Sequence, residues 1–355
     1  MSSVVPASDP PPPLSIRKLA DLLGASRSTV SRAFREDASV RPELRARILA
    51  EAEKHGYRRD PLVSELMTSF ARRQPVGYRE TLGVLWWPER WEQSGREDTF
   101  GGRLRRGLER AAERHGCRLT QFVLRQRTTG ALTRTLLARG IRGLVITPPS
   151  EPGQAVPGLD WENFSAVVIG RSLAEHGFDR VHHNHYAAMV EVLRRLKERG
   201  FGRPVLLADV NLEERMQRAY TGAFLAHGGG AVSHVLHLDN KDPALLARKL
   251  RRLPHDVIIA DVEEWADSIR ALPAALRGAG FVSLDVRRSD GPVTGMRQSV
   301  ERMAACAIDL LMQRRLHNER GTPEEPVSVL TPGAWVEGES LSRAAASLDR
   351  DGAGA

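Results

Sequence analysis

The spacing of apolar residues predicts a compact helical unit near the start of the chain. From Ser15 onward, apolar residues recur at the i, i+3, i+4, i+7 spacing of one helix face, and Gly24 ends that helix. Ser26 suits the cap of a second helix that runs to about Phe34, and Pro42 suits the first position of a third. Three helices in so short a stretch, the first two joined by a glycine-containing turn, predict a helix-turn-helix unit over residues 15–60.

A connector follows at residues 61–78. It carries a short apolar stripe at roughly helical spacing, bounded by Pro61 and Pro75. Because a helix this short is not stable alone, a partner must hold it. We also expect disordered tails at residues 1–14, which are rich in proline and serine, and at residues 341–355.

From about residue 79 the pattern changes to short apolar, partly β-branched runs separated by helical segments. The runs are TLGVLWW, CRLTQFVL, IRGLVIT, SAVVIG, RPVLLADV, SHVLHL, DVIIAD and FVSL. Strands that alternate with helices predict βαβ units and parallel sheets with helices on both faces. One doubly wound half would normally contain fewer strands than these eight runs predict. We therefore predict an α/β fold with two lobes over residues 79–340.

Composition and charge narrow the class of protein. The chain has 355 residues, 41% of them hydrophobic, which is enough for more than one domain. Lys+Arg exceed Asp+Glu by 52 − 44 = 8, which suits a polyanionic partner but also fits an arginine-rich composition. The two cysteines are far apart, no signal peptide is visible, and no run of ~18 apolar residues occurs. We expect a cytoplasmic protein with no membrane segment, no metal and no cofactor.

The stretch GASRSTVSRAF concentrates polar chemistry on one face of the second predicted helix. Four side chains fall within an arc of roughly 140°: Arg27, Ser28, Ser31 and Arg32. Val30 and Ala33 lie outside that arc, toward the first helix. Arginine can bond bidentately to guanine in the major groove, and a helix N-terminus favours phosphate. This segment alone leaves open a DNA-reading helix or a plain polar face on a small bundle.

A longer comparison favours the DNA-reading helix. The run SIRKLADLLGASRSTVSRAFREDASVRPELRARILAEAEKHGYRRDPLVSEL closely resembles the DNA-binding headpiece of the lac-repressor (LacI/GalR) family. The resemblance implies that Arg27 and Ser28 read bases and that Arg32 is the family's invariant arginine. It also implies capping or phosphate roles for Ser26, Thr29 and Ser31, and the predicted DNA contacts further include Ser15, Arg41 and Tyr57. Arg41 departs from the family pattern, because an Arg-Pro pair replaces the usual Val-Ser.

The connector resembles the hinge helix of the same family. The resemblance implies that two hinge helices, one per subunit, enter the minor groove at the operator centre with paired leucines, and Leu66 falls at that position. An apolar wedge of this kind partly unstacks a base step and bends the duplex. Ser64-Glu65 departs from the family pattern, and a plain linker that packs on the lobes remains the alternative.

The α/β part resembles the effector-binding core of that family, which is similar to periplasmic sugar-binding proteins. The resemblance places Arg215, with Arg218 as the alternative, and Asp285 at ligand-contacting positions. The predicted cleft residues are three aromatic and four polar ones: Trp86, Trp87, Trp91, Arg171, Arg215, Glu263 and Asp285. The tryptophans have an alternative place in a lobe core or a dimer interface, and Arg171 an alternative role as a bridge to a carboxylate.

The segment VHHNHY raises the possibility of a metal site, with His182 and His185 three residues apart. No carboxylate or cysteine accompanies them at ligand spacing, so a polar hinge or cleft-edge segment is the favoured interpretation.

These patterns predict a sequence-specific DNA-binding transcriptional regulator, expected to be a repressor. Its partners would be a pseudo-palindromic double-stranded operator and a small effector, a sugar or related metabolite, bound between the lobes. We expect a homodimer, with a tetramer as the alternative. A solute-binding protein and an α/β enzyme built on the same lobes are the alternative functions. No GxSxG, P-loop, GxGxxG or HExxH motif supports catalysis.

Overall fold

The computed structural model describes residues 20, 22–26, 29–30, 33, 40–54, 80–124, 129–173, 177–238, 240–276 and 278–341. The predicted tail at residues 1–14, the hinge at 61–78 and all of the predicted C-terminal tail except Leu341 lie outside these ranges. The chain divides into two compact units, residues 1–75 and 76–355.

The first unit has its own small core. Residues 20, 22 and 23 are helical, and Gly24 ends that segment with φ 60°, a left-handed conformation that glycine adopts at little cost. The backbone N–H of Ala25 donates to the carbonyl oxygen of Ala20 at 3.0 Å and closes the turn. The third helix, α1, spans Pro42–Lys54. The core consists of small and medium apolar residues from all three segments: Ala20, Val30, Ala33, Val40, Ile48 and Ala52.

The second unit contains twelve strands within the described residues. They are β1 (Glu80–Trp86), β2 (Cys117–Val123), β3 (Gly143–Ile146), β4 (Ser165–Ile169), β5 (Asp179–His183), β6 (Pro204–Asp209), β7 (Val235–Leu238), β8 (Val257–Ala260), β9 (Gly280–Ser283), β10 (Thr294–Gln298), β11 (Ser328–Thr331) and β12 (Gly333–Val336). They form two six-stranded sheets, with orders β11-β5-β4-β3-β1-β2 and β12-β10-β9-β8-β6-β7. Every pairing is parallel except β10 with β12.

Helices cover both faces of each sheet. They are α2 (Pro88–Gln93), α3 (Phe100–Arg114), α4 (Thr129–Ala138), α5 (His185–Glu198), α6 (Val210–Arg215), α7 (Ala219–His227), α8 (Pro243–Leu250), α9 (Trp265–Arg270) and α10 (Val300–Leu316). Strands such as β3, β4 and β8 are buried along their whole length, because both of their faces meet helices. The predicted α/β fold with two lobes is confirmed. No helix of the described residues is long and apolar enough to cross a membrane.

Three chain crossings join the lobes side by side. The chain leaves the first sheet after His183, returns after Gln298, and crosses again between Thr331 and Gly333. In the strand register Thr331 pairs with His183 and Gly333 pairs with Gln298. The last crossing therefore lies directly beside the other two, and the three crossings together form the connection between the lobes.

Candidate ligand-binding cavity

A cavity of about 170 Å³ lies at the carboxyl ends of the strands, beside the three crossings. The first lobe lines it with Arg90, Phe100, Pro148, Gly170, Arg171, Ser172, His182 and His183. The second lobe lines it with Leu212, Arg215, Met216, Tyr220, Asp261, Val262 and Asp285. The crossing segments and the start of α10 add His185, Gln298 and Met303. Ligands of open α/β sheets bind in this position, outside the strand ends.

Arg171 and Arg215 approach the cavity from opposite lobes. Arg171 follows β4 and Gly170, whose φ of 82° turns the chain beside Pro148. Its Nε is buried and has no hydrogen-bond partner within the described chain. Arg215 ends α6, and its Nε donates to Ser172 Oγ at 2.9 Å. Burial lowers the pKa of both guanidinium groups, and for Arg215 the neighbouring carboxylates Glu151 and Asp209 oppose that shift.

Arg90 is the third guanidinium of the cavity. It stands on α2, and its Nη1 donates to Gln93 Oε1 at 2.9 Å while its Nε donates to the Pro148 carbonyl at 3.3 Å. The guanidinium carbon lies 5.2 Å from the centre of the Phe100 ring. Burial, and secondly the charge of Arg215, lower the pKa of Arg90 to about 10.

The turn between α2 and α3 holds Arg90 in place. Thr99 Oγ1 accepts from the Gly102 N–H at 3.1 Å and lies 2.6 Å from the Gln93 carbonyl, to which it donates. A methyl group at Gly102 would lie 1.9 Å from the Arg96 carbonyl oxygen, so only glycine permits this approach of the loop to α3.

Two carboxyl groups face the arginines. Asp285 follows β9, and its N–H donates to Ser283 Oγ at 3.1 Å. Burial raises the pKa of its carboxyl to about 7; the charge of Arg103 opposes the shift and Glu263 adds to it. Asp261 follows β8, and burial raises the pKa of its carboxyl to about 7. Its Oδ1 accepts from Trp265 Nε1 at 2.9 Å and its Oδ2 from the Asp209 N–H at 2.5 Å.

Three histidines complete the polar lining. His182, His183 and His185 are buried, and the ring of His185 packs edge-on against Tyr220 with centres 5.1 Å apart. Burial lowers the pKa of His182 and His183 to about 4 and that of His185 well below its usual value, so all three are neutral at pH 7. Both ring nitrogens of His183 and Nδ1 of His185 are without a partner among the described residues. No group of three His, Cys, Asp or Glu side chains in that part of the chain could hold a metal ion.

The structure brings together three of the seven predicted cleft residues, Arg171, Arg215 and Asp285. Trp86 and Trp91 pack instead in the core beneath α3 and α10, with ring centres 6.0 Å apart, and Trp86 Nε1 donates to Gln121 Oε1 at 2.5 Å. Trp87 packs against the core on the opposite face of the same sheet. The three tryptophans therefore occupy the lobe core, the place that the sequence leaves as their alternative.

Glu263 is also outside the cavity lining. Its Oε2 accepts from the Arg287 N–H at 3.1 Å, and its Oε1 lies 3.5 Å from Arg287 Nε. The strand that precedes it, β8, ends at Ala260, so Asp261 rather than Glu263 stands at the strand's carboxyl end. The end of the apolar run DVIIAD is the sequence signal that identifies Asp261. Arg90, Ser172 and Tyr220 have no comparable signal.

In the first unit the structure describes three of the predicted DNA-contacting residues. Ser26 Oγ accepts from the Thr29 N–H at 3.0 Å and lies 2.8 Å from Thr29 Oγ1, so the predicted cap is confirmed. Val30 and Ala33 are buried, as predicted. Arg41 is exposed just before α1. The other predicted contacts lie outside the described residues: Ser15, Arg27, Ser28, Ser31, Arg32, Tyr57 and Leu66.

Comparison with known proteins gives one family match and many similar structures. Residues 15–60 match the model of "Bacterial regulatory proteins, lacI family". A transcriptional regulator CelR–cellobiose complex is 20% identical, covering 92% of this chain and 99% of its own, with a TM-score of 0.52. The lac repressor dimer bound to operator and the anti-inducer ONPF is 14% identical, with a TM-score of 0.53. The match covers 93% of this chain and 99% of the repressor chain.

A LacI family transcriptional regulator from Enterococcus faecium with bound ribose is 16% identical, covering 74% of this chain and 99% of its own, with a TM-score of 0.52. No curated protein matches the chain. At these identities the structural likeness shows the fold alone, and the family match covers the residues of the predicted headpiece.

Proposed function

We propose that this chain, whose residues 15–60 match the lacI-family model, is a sequence-specific transcriptional repressor of that family, and that a small ligand bound between its lobes controls its affinity for operator DNA. The observation that carries the proposal is the presence, in one chain, of that headpiece and of a polar cavity between two lobes. A cleft with a few convergent polar groups is the usual form of a small-molecule site.

In this proposal the second helix of the headpiece enters the major groove. Arg27 and Ser28 contact base edges, Arg32 anchors the helix, and Leu66 enters the central minor groove. A homodimer places two such helices on half-sites about one helical turn apart. The operator is therefore a pseudo-palindrome, and a tetramer would bring together two dimers of this kind. The site of action is the cytoplasm.

We infer that the ligand is a sugar or a related metabolite. Two regulators of the same fold are described with cellobiose and with ribose. Arginine and aspartate side chains, of which this cavity holds several, bond well to hydroxyl groups. Ligand and DNA each favour one arrangement of the lobes, and this shared preference couples the two binding events.

The experiment is a selection of duplexes from a random library with the full chain, followed by gel shifts on the enriched sequence. We expect a pseudo-palindrome, and a change in its affinity when a cognate metabolite is added. A folded chain that enriches no motif would contradict the regulator proposal. A chain that binds a metabolite tightly but no DNA sequence would instead fit a solute-binding protein.

A further inference from the structure

Three guanidinium groups line one small cavity without a carboxylate partner. Arg90, Arg171 and Arg215 all contribute to its wall. Within the residues that the structure describes, none of the three forms an ion pair; Asp285 acts on Arg90, and Glu151 and Asp209 act on Arg215, only at longer range. Other arginines of the same core do have such partners, for example Arg103 with Glu301 at 3.0 Å and Arg314 with Asp179 at 3.1 Å.

The hydrogen bonds that the three arginines make go to neutral groups. Arg90 donates to an amide oxygen and a backbone carbonyl, and Arg215 donates to the hydroxyl of Ser172. The buried Nε of Arg171 donates to nothing in the described chain. A guanidinium carries five N–H donors, so these hydrogen bonds leave donors on each of the three arginines available to a ligand.

The other polar groups of the cavity do not balance this charge. Asp261 has one oxygen on a tryptophan N–H and the other on a backbone N–H. Burial brings the pKa of Asp261 and of Asp285 to about 7, so neither carries a full negative charge at neutral pH. The three histidines are neutral there, because burial lowers their pKa. The groups that line the cavity therefore carry an excess of positive charge, which Glu151 and Asp209 near Arg215 offset in part.

Partly buried cations without a counter-ion are unfavourable, and an anion in the cavity relieves that cost. The cavity of about 170 Å³ is close in size to the engineered one of ~150 Å³ that accepts benzene, so its ligand is about as large as one six-membered ring.

Building on the proposed function, we propose that the effector is a monosaccharide-sized molecule with an oxyanion group, a carboxylate or a phosphate, held jointly by Arg171 and Arg215. Ser172 lies between them: it follows Arg171 in the chain and accepts from Arg215. The uncharged part of the ligand meets Asp285 and Gln298, which can bond hydroxyl groups. Because Arg171 and Arg215 belong to different lobes, one oxyanion bound to both ties the lobes together.

The test is thermal unfolding of the full chain at constant ionic strength with matched ligands. Glucose, glucuronate and glucose 6-phosphate differ only at one carbon, and the galactose series provides a second set. Inorganic phosphate against chloride probes the oxyanion alone. We expect phosphate and at least one anionic sugar to raise Tm in a saturable way, and the neutral sugar of that set to raise it less. A larger effect of the uronate identifies a carboxylate ligand, and a larger effect of the sugar phosphate identifies a phosphate.

Variants connect the effect to the cavity. R171Q and R215Q should each weaken the anion's apparent affinity about 10- to 100-fold, the usual range for a lost charge-assisted hydrogen bond. R110Q is the matched control: it removes the same charge at an exposed position of α3 outside the cavity lining, and should leave the affinity unchanged. R215Q should remain folded, because it also removes the repulsion between Arg215 and Arg90.

Three results would overturn the inference: no stabilisation by any anion beyond chloride, equal or greater stabilisation by the neutral sugars, or an anion effect that R171Q and R215Q retain. Each leaves the regulator proposal standing if the chain still selects an operator. Conversely, anion binding that depends on both arginines, in a chain that selects no DNA sequence, would reject only the regulator proposal.

Discussion

Arg215 and Ser172 join the two lobes across the cavity. The Nε of Arg215, at the end of α6, donates to the hydroxyl oxygen of Ser172, which follows β4 in the other lobe, at 2.9 Å. Ser172 is buried, so this charge-assisted bond is protected from competing water. It is one of the contacts that keep the lobes close together around the ligand position.

Ser172→Ala should lower the free energy of unfolding of the core by about 1–3 kcal/mol, because it leaves the Arg215 Nε without an acceptor in a partly buried place. Denaturant unfolding of the full chain measures this. Ser233→Ala, at an exposed serine of the second lobe, serves as the control and should change little. Equal stability of the two variants would mean that the Arg215–Ser172 bond contributes nothing.

Asp285→Asn should gain stability relative to the wild type as the pH rises. Burial raises the folded-state pKa of Asp285 to about 7, above its value of 3.8 in the unfolded chain. The folded wild type thus binds this proton more tightly, and it loses that stability between about pH 4 and 7. Asparagine does not titrate, so the difference should grow by about 2 kcal/mol between pH 5 and 8.

The measurement is Tm or denaturant stability of both proteins at matched pH values. The buried histidines have the opposite effect on stability. Because their folded-state pKa values are lowered, they make stability rise with pH between about pH 4 and 6.5. They are common to both proteins, and the difference between wild type and variant removes their contribution. A constant difference over this range would contradict the raised pKa of Asp285.

Arg27→Ala should relax the preference at one base position of each half-site by about 1–3 kcal/mol. Arg32→Ala should instead weaken binding to most sequences alike. Selection from a random duplex library, carried out with each variant, separates these two outcomes. Unchanged base preferences in Arg27→Ala would exclude direct readout by that residue.

Gly102→Ala should destabilise the first lobe by about 1–3 kcal/mol, because its methyl group would overlap the Arg96 carbonyl oxygen and force α3 away from the loop that follows α2. Gly222→Ala is the control, since Gly222 lies within α7 and has no atom within 4 Å of the added methyl group. This substitution should stabilise the protein by up to about 1 kcal/mol. Thermal unfolding that ranks the two variants the other way would contradict the close approach at Gly102.

Periodicity and capping rules predict the lobes and the headpiece well. The core alternates strands with helices as the apolar pattern predicts, and Ser26 caps the second helix as expected. Short strands with exposed residues, such as β11 and β12, are not predicted by the apolar pattern. Their apolar content is low, and their pairing partners lie far away in the chain.

The cavity is harder to predict than the fold. A strand buried on both faces has no polar alternation, so the sequence TLGVLWW does not reveal that Trp86 turns to the core. Arg171 and Arg215 are identified through a resemblance, whereas Arg90 depends on a turn fixed by Thr99 and Gly102. Such packing relationships between distant segments are not encoded in local patterns.

The three adjacent crossings determine how a ligand can act on this molecule. His183 and Gln298 end the strands that enter two of the crossings, and both also line the cavity. A ligand bound there, as proposed, would therefore contact the crossings as well as residues farther from them. Residues at the crossings would move little if one lobe rotated relative to the other. We therefore expect contacts farther from the crossings, such as Arg215 with Ser172, to contribute most to such a rotation. In the proposed regulator, substitutions at His183 or Gln298 should consequently change ligand affinity and the DNA response together.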